Sequence, residues 1–394
     1  MNANPWFMLA ILFVCRTATG YVFQSIGSSG PAIALALAID FALIGTLIGL
    51  FKMPGIILSL PSGMLSRYCS DRMLIGIGLG IMAAGCLITG IASNYELAAT
   101  GRLITGVGAT LTNLFFTKVT LDWFAGHKGL PFAMAVLVNS WPLGIALGLM
   151  TQGSLTIAWG WQGAMLFSGG MALIATFVML ALYREAPKRT LPPAAGWDAL
   201  KALSRREWIA MALIANVWSF LNVGLAIVFG FAPALLNSLG YDLSAAGRLV
   251  AIGTWVGIVA IPLGGAFVTR FGQARLFIAI CTLASAVVYG ALAYWPTSLA
   301  LYVAFGIVAL AAAGPIMAQL SVLVSDSNRA AGMGLFYTIY YLSMGLMPSL
   351  AGIIFEAYGP HSPLLFAAAL MALSLIAQVI LFFMGDHKQA AETA

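Results

Sequence analysis

Long apolar runs follow one another along almost the whole chain of 394 residues. A helix that crosses a membrane needs about 20 mostly apolar residues, and runs of that length recur from one end of the chain to the other. The short segments of alternating polarity that are typical of membrane β-barrels do not occur in the sequence. The pattern therefore predicts an all-α protein that crosses the membrane many times.

Polar breaks between the apolar runs define twelve predicted transmembrane spans. One long polar connector, YREAPKRTLPPAAGWDALKALSRREW, follows the sixth span and separates six spans from six. We therefore predict an N-terminal six-helix bundle over 1–183, a cytoplasmic linker over 184–207, and a C-terminal six-helix bundle with a short tail over 208–394. The predicted spans are 5–27, 41–62, 73–93, 98–120, 130–151, 162–183, 208–232, 246–266, 275–294, 298–322, 330–353 and 362–384.

The composition supports an integral membrane protein in contact with lipid. Hydrophobic residues make up 61% of the chain and charged residues only 8%, whereas soluble domains carry roughly 25% charged residues. So few charges cannot cover a surface in water. The start of the chain, MNANPWFML, has no basic segment before its first apolar run, so we expect no cleaved signal peptide.

The placement of lysine and arginine predicts the orientation in the membrane. If the N-terminus is cytoplasmic, fourteen of the eighteen basic residues fall on the cytoplasmic side, as the positive-inside rule requires. We therefore expect a multi-pass protein of the cell (inner) membrane with both termini in the cytoplasm. Because the excess of +6 charges is spread over short loops, we expect no nucleic-acid partner. The four basic residues outside this pattern are Arg16, Lys52, Arg102 and Arg248.

The two halves of the chain contain related loops. LPSGMLSRYCSDRML follows the second span, and IPLGGAFVTRFGQARLF follows the eighth. Arg67 and Arg72 align with Arg270 and Arg275 at one constant offset. Parallel halves with a basic loop at matching positions are typical of transporters built from internal repeats.

Three motifs give the chain a resemblance to the major facilitator superfamily. GGAFVTRFGQAR resembles the family's loop signature, GRLITGVGAT resembles its fourth-helix signature, and WGWQGAMLF is typical of the start of its sixth helix. The resemblance implies two pseudo-symmetric six-helix bundles with a cavity between them that opens alternately to each side. It also implies gating or structural roles for Arg67, Arg72, Arg102, Asp122, Gly265, Arg270, Gly272 and Arg275.

The sequence departs from the family pattern at one charged position. Ser66 and Thr269 replace the acid of the loop signature in its two copies, and Asp122 is available to pair with Arg72. An arginine midway along the first helix with a proline further on, here Arg16 and Pro31, resembles the cyanate and nitroimidazole transporter branch, and also organic-anion carriers.

Two cations lie in the middle of predicted spans. Arg16 is central in the first span and Lys52 in the second, and each costs roughly 2.5–3.5 kcal/mol on membrane-insertion scales. All twelve acids fall in loops, at termini or at span ends. We therefore expect both cations to face a wet cavity and to bind an anion from outside the protein. The alternative is that either cation packs the helices by bonding backbone carbonyls.

Other side chains at a similar depth complete the predicted site. Tyr337 and Tyr341 are one helical turn apart, and an aromatic wall with hydroxyl donors suits a small planar anion; ordinary packing is the alternative. Four amides could add polar contacts; for each amide alone, a hydrogen bond between helices is the favoured alternative. These amides are Gln24, Asn113, Asn139 and Asn222.

These features predict a secondary active or exchange transporter that moves a small anion, a carboxylate or cyanate-like ion, by alternating access. Arg16 and Lys52 form the predicted substrate site. We expect a monomer without enzymatic activity, cofactor or metal. One alternative is an exporter of drugs or metabolites, although proton antiporters of that kind usually use a membrane-embedded acid. Another alternative is a receptor or assembly factor that transports nothing.

Overall fold

The computed structural model describes residues 4–59, 69–186, 203–325 and 328–384. Arg67 and most of the predicted linker therefore lie outside the described residues. Within the described ranges every regular element is a helix. In the N-terminal half the helices are α1 Pro5–Leu37, α2 Phe41–Leu50, α3 Gly55–Leu58, α4 Asp71–Gly90, α5 Tyr95–Phe124 and α6 Leu130–Leu182. In the C-terminal half they are α7 Arg205–Ser238, α8 Leu243–Phe271, α9 Ala274–Tyr294, α10 Leu299–Ala311, α11 Ala313–Leu323, α12 Arg329–Tyr358 and α13 Ser362–Met384.

Short polar side chains cap the first turns of the helices. The Leu43 backbone N–H donates to Asp40 Oδ1 at 2.9 Å before α2. Ser204 and Glu207 form a reciprocal capping box at the start of α7. Such caps satisfy N–H groups that have no partner inside the helix. These loop residues therefore set where the capped helices begin.

Ten helices are long and apolar enough to cross a membrane within the described ranges. One of them, α6, has 53 residues and breaks at Gly160, where φ is 72° and ψ is 167°. Each arm exceeds the roughly 20 residues that one crossing needs. The more polar α5 has 30 residues and is also long enough. Counting both arms of α6 together with α5 gives the twelve crossings that the sequence predicts.

The second span differs from the uninterrupted helix predicted over 41–62. α2 ends at Leu50 and α3 begins at Gly55, so residues 51–54 form turns in mid-span. Pro54 lies in this break, where its missing N–H and its ring disfavour a continuous helix. The tenth span is also divided, at Ala312. By contrast, Pro31 does not end α1, which continues to Leu37.

The two halves meet along a seam of closely packed helices, with α1 against α7, α2 against α12, and α6 against α8. A Cβ atom on Gly49 would lie 2.2 Å from the Gly345 carbonyl oxygen, and one on Gly247 would lie 2.1 Å from that of Leu149. No side chain fits at these distances, so glycine is required for this approach. The seam therefore holds the two halves closely together along these helices.

Polar and aromatic contacts reinforce one end of this seam. The Phe41 N–H donates to Glu356 Oε1 at 2.7 Å, and the rings of Phe41 and Phe355 stack with centroids 4.0 Å apart. The hydrogen bonds and ring contacts described between the halves run from this end to the level of Lys52. The basic residues of the loops lie toward the opposite face.

The ion pairing on that opposite face differs from the expected one. Lys118 Nζ contacts Asp71 at 2.6 Å and Asp122 at 3.0 Å. The backbone N–H of Arg72 donates instead to Glu185. Asp122, which the sequence leaves available to Arg72, pairs in the structure with Lys118, which lies one helical turn before it on α5.

Candidate functional site

Arg16 and Lys52 lie in the same region between the halves. Arg16 is on α1 and Lys52 is in the break between α2 and α3, and the two lie close enough to repel each other electrostatically. Within the described ranges, the ion pairs are those of Lys118 with Asp71 and Asp122 at the far end of α5. The two central cations thus share a site without a carboxylate from the described part of the chain.

Arg16 has its guanidinium only partly satisfied. Nη1 donates to the Leu137 carbonyl at 2.8 Å, and Nη2 makes a long contact of 3.5 Å with Asn113 Oδ1. Its Nε is buried without a hydrogen-bond partner in the described structure. The bond to Leu137 matches the packing role left open for this residue, but the fork still has donor capacity that the described protein does not use.

Lys52 lies in a cage of aromatic rings. Its Nζ is 4.3 Å from the ring centroid of Trp141, 5.5 Å from Phe51, 5.6 Å from Phe23 and 5.9 Å from Tyr340. The residue is only 7% exposed, and we find no hydrogen-bond acceptor for its ammonium group within the described ranges. Ring faces attract a cation by about 0.5–2 kcal/mol and leave its charge intact. We call these four rings the aromatic cage.

The break in the second span explains how Lys52 reaches the cage. The Lys52 N–H donates to Gly49 O at 2.9 Å and the Gly55 N–H donates to Lys52 O at 3.0 Å, which is a tight 3₁₀-like turn. Just after it, Gly55 faces the ring of Tyr341, whose Cδ1 would lie 2.3 Å from an added Cβ. The turn thus places Lys52 in the cage and lets Tyr341 pack against the backbone.

Three tyrosines on α12, Tyr337, Tyr340 and Tyr341, form a wall opposite the cations. Their ring centroids are 5.0–6.4 Å apart, and Arg16 lies near enough to all three to interact electrostatically. The ring of Trp218 on α7 is 6.4 Å from that of Tyr340. The structure therefore brings the predicted Tyr337 and Tyr341 together with Arg16. We call Tyr337, Tyr340 and Tyr341 the tyrosine wall.

The four amides predicted for the site make different contacts, and most of them do not reach the cations. Gln24 Nε2 donates to Phe229 O at 2.9 Å across the seam. Asn222 Nδ2 donates to Trp218 O on its own helix. Asn139 is half-buried, and its Oδ1 has no partner in the described structure. Among the four amides, only Asn113 contacts Arg16 directly.

Sequence reasoning missed five rings of the site, those of Phe23, Phe51, Trp141, Trp218 and Tyr340. Trp141 follows Asn139 by two residues in NSWPLG, and Tyr340 precedes Tyr341. Residues so close in sequence point in different directions on a regular helix, so spacing alone did not place them at one site. The sequence feature that could have pointed to these rings was a tryptophan in the middle of a predicted span.

Arg102 has a different role from the two central cations. It is only 1% exposed and donates three hydrogen bonds to backbone carbonyls, with Nε to Leu47 at 3.1 Å, Nη1 to Val22 at 3.1 Å and Nη2 to Phe23 at 2.8 Å. Leu47 lies in the last turn of α2, where carbonyls lack helical partners and a cation is favourable. Arg102 thus joins α1, α2 and α5 behind the aromatic cage.

Replacing Arg102 by glutamine is expected to destabilise the protein by about 2–4 kcal/mol, because hydrogen bonds to a charged group contribute about 1.5–3 kcal/mol each and glutamine cannot span three carbonyls. The melting temperature of the detergent-purified protein measures this effect. Arg248→Gln is the matched control, since Arg248 bonds to Ser244 on its own helix. An unchanged melting temperature in Arg102→Gln would contradict this role.

The predicted gating residues of the C-terminal loop contact their own half. Arg270 lies 5.8 Å from the Phe271 ring, and Arg275 Nη1 makes a long contact with Phe382 O at 3.5 Å. Gly272 ends α8 with φ of 72°, a left-handed conformation that favours glycine. Space beside Gly265 is open. Their gating role stays a prediction.

Comparison with known proteins gives matches over nearly the whole chain. A family model described as Major Facilitator Superfamily matches residues 12–231 and 219–394. The 2-nitroimidazole transporter of Escherichia coli (strain K12) is 26% identical over 322 residues, which cover 78% of this chain and 77% of that protein.

Solved transporter structures share the fold. A mutant of the nucleoside transporter NupG superposes with a TM-score of 0.80 at 16% identity, covering 96% of this chain and all of that one. A bacterial homolog of the human lysosomal transporter Spinster, in an inward-facing and unoccupied conformation, gives a TM-score of 0.72 at 16% identity, with 96% of each chain covered.

Proposed function

Because the chain belongs to the Major Facilitator Superfamily, we propose that it transports a small anion, a carboxylate or cyanate-like ion, across the cell membrane. Arg16 and Lys52 are the cationic substrate site. The observation that carries this proposal is that two neighbouring cations lie between the halves while the described part of the chain offers them no carboxylate.

The energetics favour an anionic partner. Two mid-membrane cations cost about 5–7 kcal/mol on insertion scales, before their mutual repulsion. Contact with the aromatic cage stabilises the charge of Lys52 by about 0.5–2 kcal/mol. A bound anion offsets the remaining cost, because the planar fork of Arg16 matches a carboxylate and Lys52 adds a compact point charge.

The arrangement of the halves supports alternating access. In this proposal the seam packed through Gly49 and Gly247 closes one face, and the site opens toward the face with the basic loops. The positive-inside rule makes that face cytoplasmic. We therefore propose a monomer in the inner membrane, with both termini in the cytoplasm, that alternates with a state in which the seam opens. In this account the chain has no enzymatic role.

A second candidate substrate is an uncharged planar heterocycle. The aromatic cage and the tyrosine wall favour it, and the relative from Escherichia coli is named as a transporter of a 2-nitroimidazole. In that case the rings carry the recognition and Lys52 stays in its cage. An exporter of such compounds would use the same site.

Matched pairs of charged and uncharged ligands test the proposal. The melting temperature of the purified protein is measured with acetate against acetamide, and with cyanate, and labelled acetate uptake is followed in proteoliposomes. Ligand at about 100 times its dissociation constant should stabilise by about 2.7 kcal/mol. We expect shifts with the anions in the wild type and in Arg248→Gln, and none in Arg16→Gln.

Two results would contradict the anion proposal. An equal shift with acetamide would favour the uncharged substrate. Anion-dependent stabilisation without uptake of the same anion into proteoliposomes would instead indicate a receptor that transports nothing.

A further inference from the structure

We propose that the substrate is an aromatic monocarboxylate, whose carboxylate lies between Arg16 and Lys52 and whose ring lies against the tyrosine wall and Trp218. This inference rests on the proposed anion transport and specifies its substrate class. It follows from the arrangement of the aromatic rings, from the tyrosine hydroxyls without a described partner, and from the division of the site between the two halves.

The aromatic residues of the C-terminal half form a continuous surface. Trp218 lies 6.3 Å from Phe336 and 6.4 Å from Tyr340, and Tyr337 lies 6.2 Å from Tyr341, centroid to centroid. Trp218 and Tyr337 are only half-buried, so the described protein does not fully cover either ring. A flat ring is the group that such a surface binds best.

Two tyrosine hydroxyls beside the cations have no hydrogen-bond partner within the described ranges. These hydroxyls are those of Tyr337 and Tyr340. Arg16 lies close to both Tyr337 and Tyr340. A carboxylate next to Arg16 could therefore accept from a hydroxyl and from the cations at once.

The halves divide the recognition between them. The cations Arg16 and Lys52 come from α1 and the α2–α3 break, while Trp218 and the tyrosine wall come from α7 and α12. An ion as small as acetate can contact the cations alone. A ligand that carries a ring next to its carboxylate contacts both halves together. The ring should therefore add affinity and should also hold the halves together when the site closes.

Three ligands of similar size separate the ring from the charge: benzoate, cyclohexanecarboxylate and benzamide. Dissociation constants are measured by isothermal titration calorimetry on the purified full-length protein. Plain burial would favour cyclohexanecarboxylate, which has more apolar surface. Pairing of ring faces should instead make benzoate bind roughly 3–10-fold more tightly than cyclohexanecarboxylate. We expect benzamide to bind most weakly.

Substitutions on the wall test the same point from the protein side. Trp218→Leu and Tyr337→Leu should weaken benzoate binding by roughly 3–10-fold and leave cyclohexanecarboxylate within about twofold, which also reports that the variants are folded. Tyr337→Phe keeps the ring and should keep the preference for benzoate. Tyr294→Leu is the control, because this tyrosine is 65% exposed at the end of α9.

Each alternative result has a definite meaning. Equal or tighter binding of cyclohexanecarboxylate would overturn the aromatic proposal and leave anion transport standing. Benzamide binding as tightly as benzoate would overturn the anion site itself. If none of the three binds while acetate or cyanate does, the ring is excluded and the substrate is a smaller anion.

Discussion

Replacing Lys52 by methionine is expected to abolish transport while leaving the empty protein folded and at least as stable as the wild type. Lys52 is nearly buried, it has no acceptor for its ammonium group within the described ranges, and it lies near both Arg16 and Arg102. Its charge therefore destabilises the empty site and is useful only when an anion is present. Methionine keeps most of the volume within the aromatic cage.

The magnitudes favour a net gain in stability for the empty variant. Removing a mid-membrane charge relieves about 2.5–3.5 kcal/mol, and losing the ring contacts costs about 0.5–2 kcal/mol. We expect the empty variant to gain about 0.5–3 kcal/mol, the difference between these two terms. Loss of a charged hydrogen bond to the substrate, about 1.5–3 kcal/mol, should weaken anion binding by roughly 10–100-fold.

Three measurements on Lys52→Met check this separation: the melting temperature without ligand, the shift on adding the anion, and labelled uptake at matched expression. Lys128→Met is the matched control, because Lys128 is exposed in a loop. Lys52→Arg should keep some uptake, since it keeps the charge. Wild-type uptake by Lys52→Met, or by Arg16→Gln, would refute the cationic substrate site.

The crossings and the central cations could be predicted from the sequence. Apolar runs long enough to cross a membrane have few alternatives to helices, because the backbone must satisfy its own hydrogen bonds in lipid. A charge within such a run is costly wherever it points, so Arg16 and Lys52 were identifiable without coordinates. Their proximity followed from their similar depth on consecutive spans.

Contacts set by tertiary packing could not be predicted. The turn at Pro54 places Lys52 over Trp141, although the periodicity of the run gives no sign of a break there. Arg102 is near the end of its span by sequence, yet it bonds three carbonyls that come from two other spans. Which cation pairs with Asp122 depends on side-chain reach, and residue spacing does not determine that.

The energetics of the empty site also predict the mode of transport. Without substrate, Arg16 and Lys52 repel each other, and water screens them least when both faces are closed. The empty carrier must pass through this closed state to return, whereas the loaded carrier passes through it with the charges offset by the anion. Return of the empty carrier should therefore be slow.

We accordingly expect exchange of the anion to outrun its net uptake. Proteoliposomes are prepared with or without the unlabelled anion inside, in a buffer in which sulfate replaces chloride, and the initial rate of labelled uptake is measured. An offset of about 1.4 kcal/mol in the closed state corresponds to a tenfold difference in rate, so the loaded vesicles should be faster by about tenfold or more. Any coupled proton would then travel with the substrate or through the charged pairs at the face that carries Lys118, because the described middle of the membrane has no carboxylate to carry it. Equal initial rates in loaded and empty vesicles, together with accumulation driven by a pH gradient alone, would reject exchange and establish proton symport.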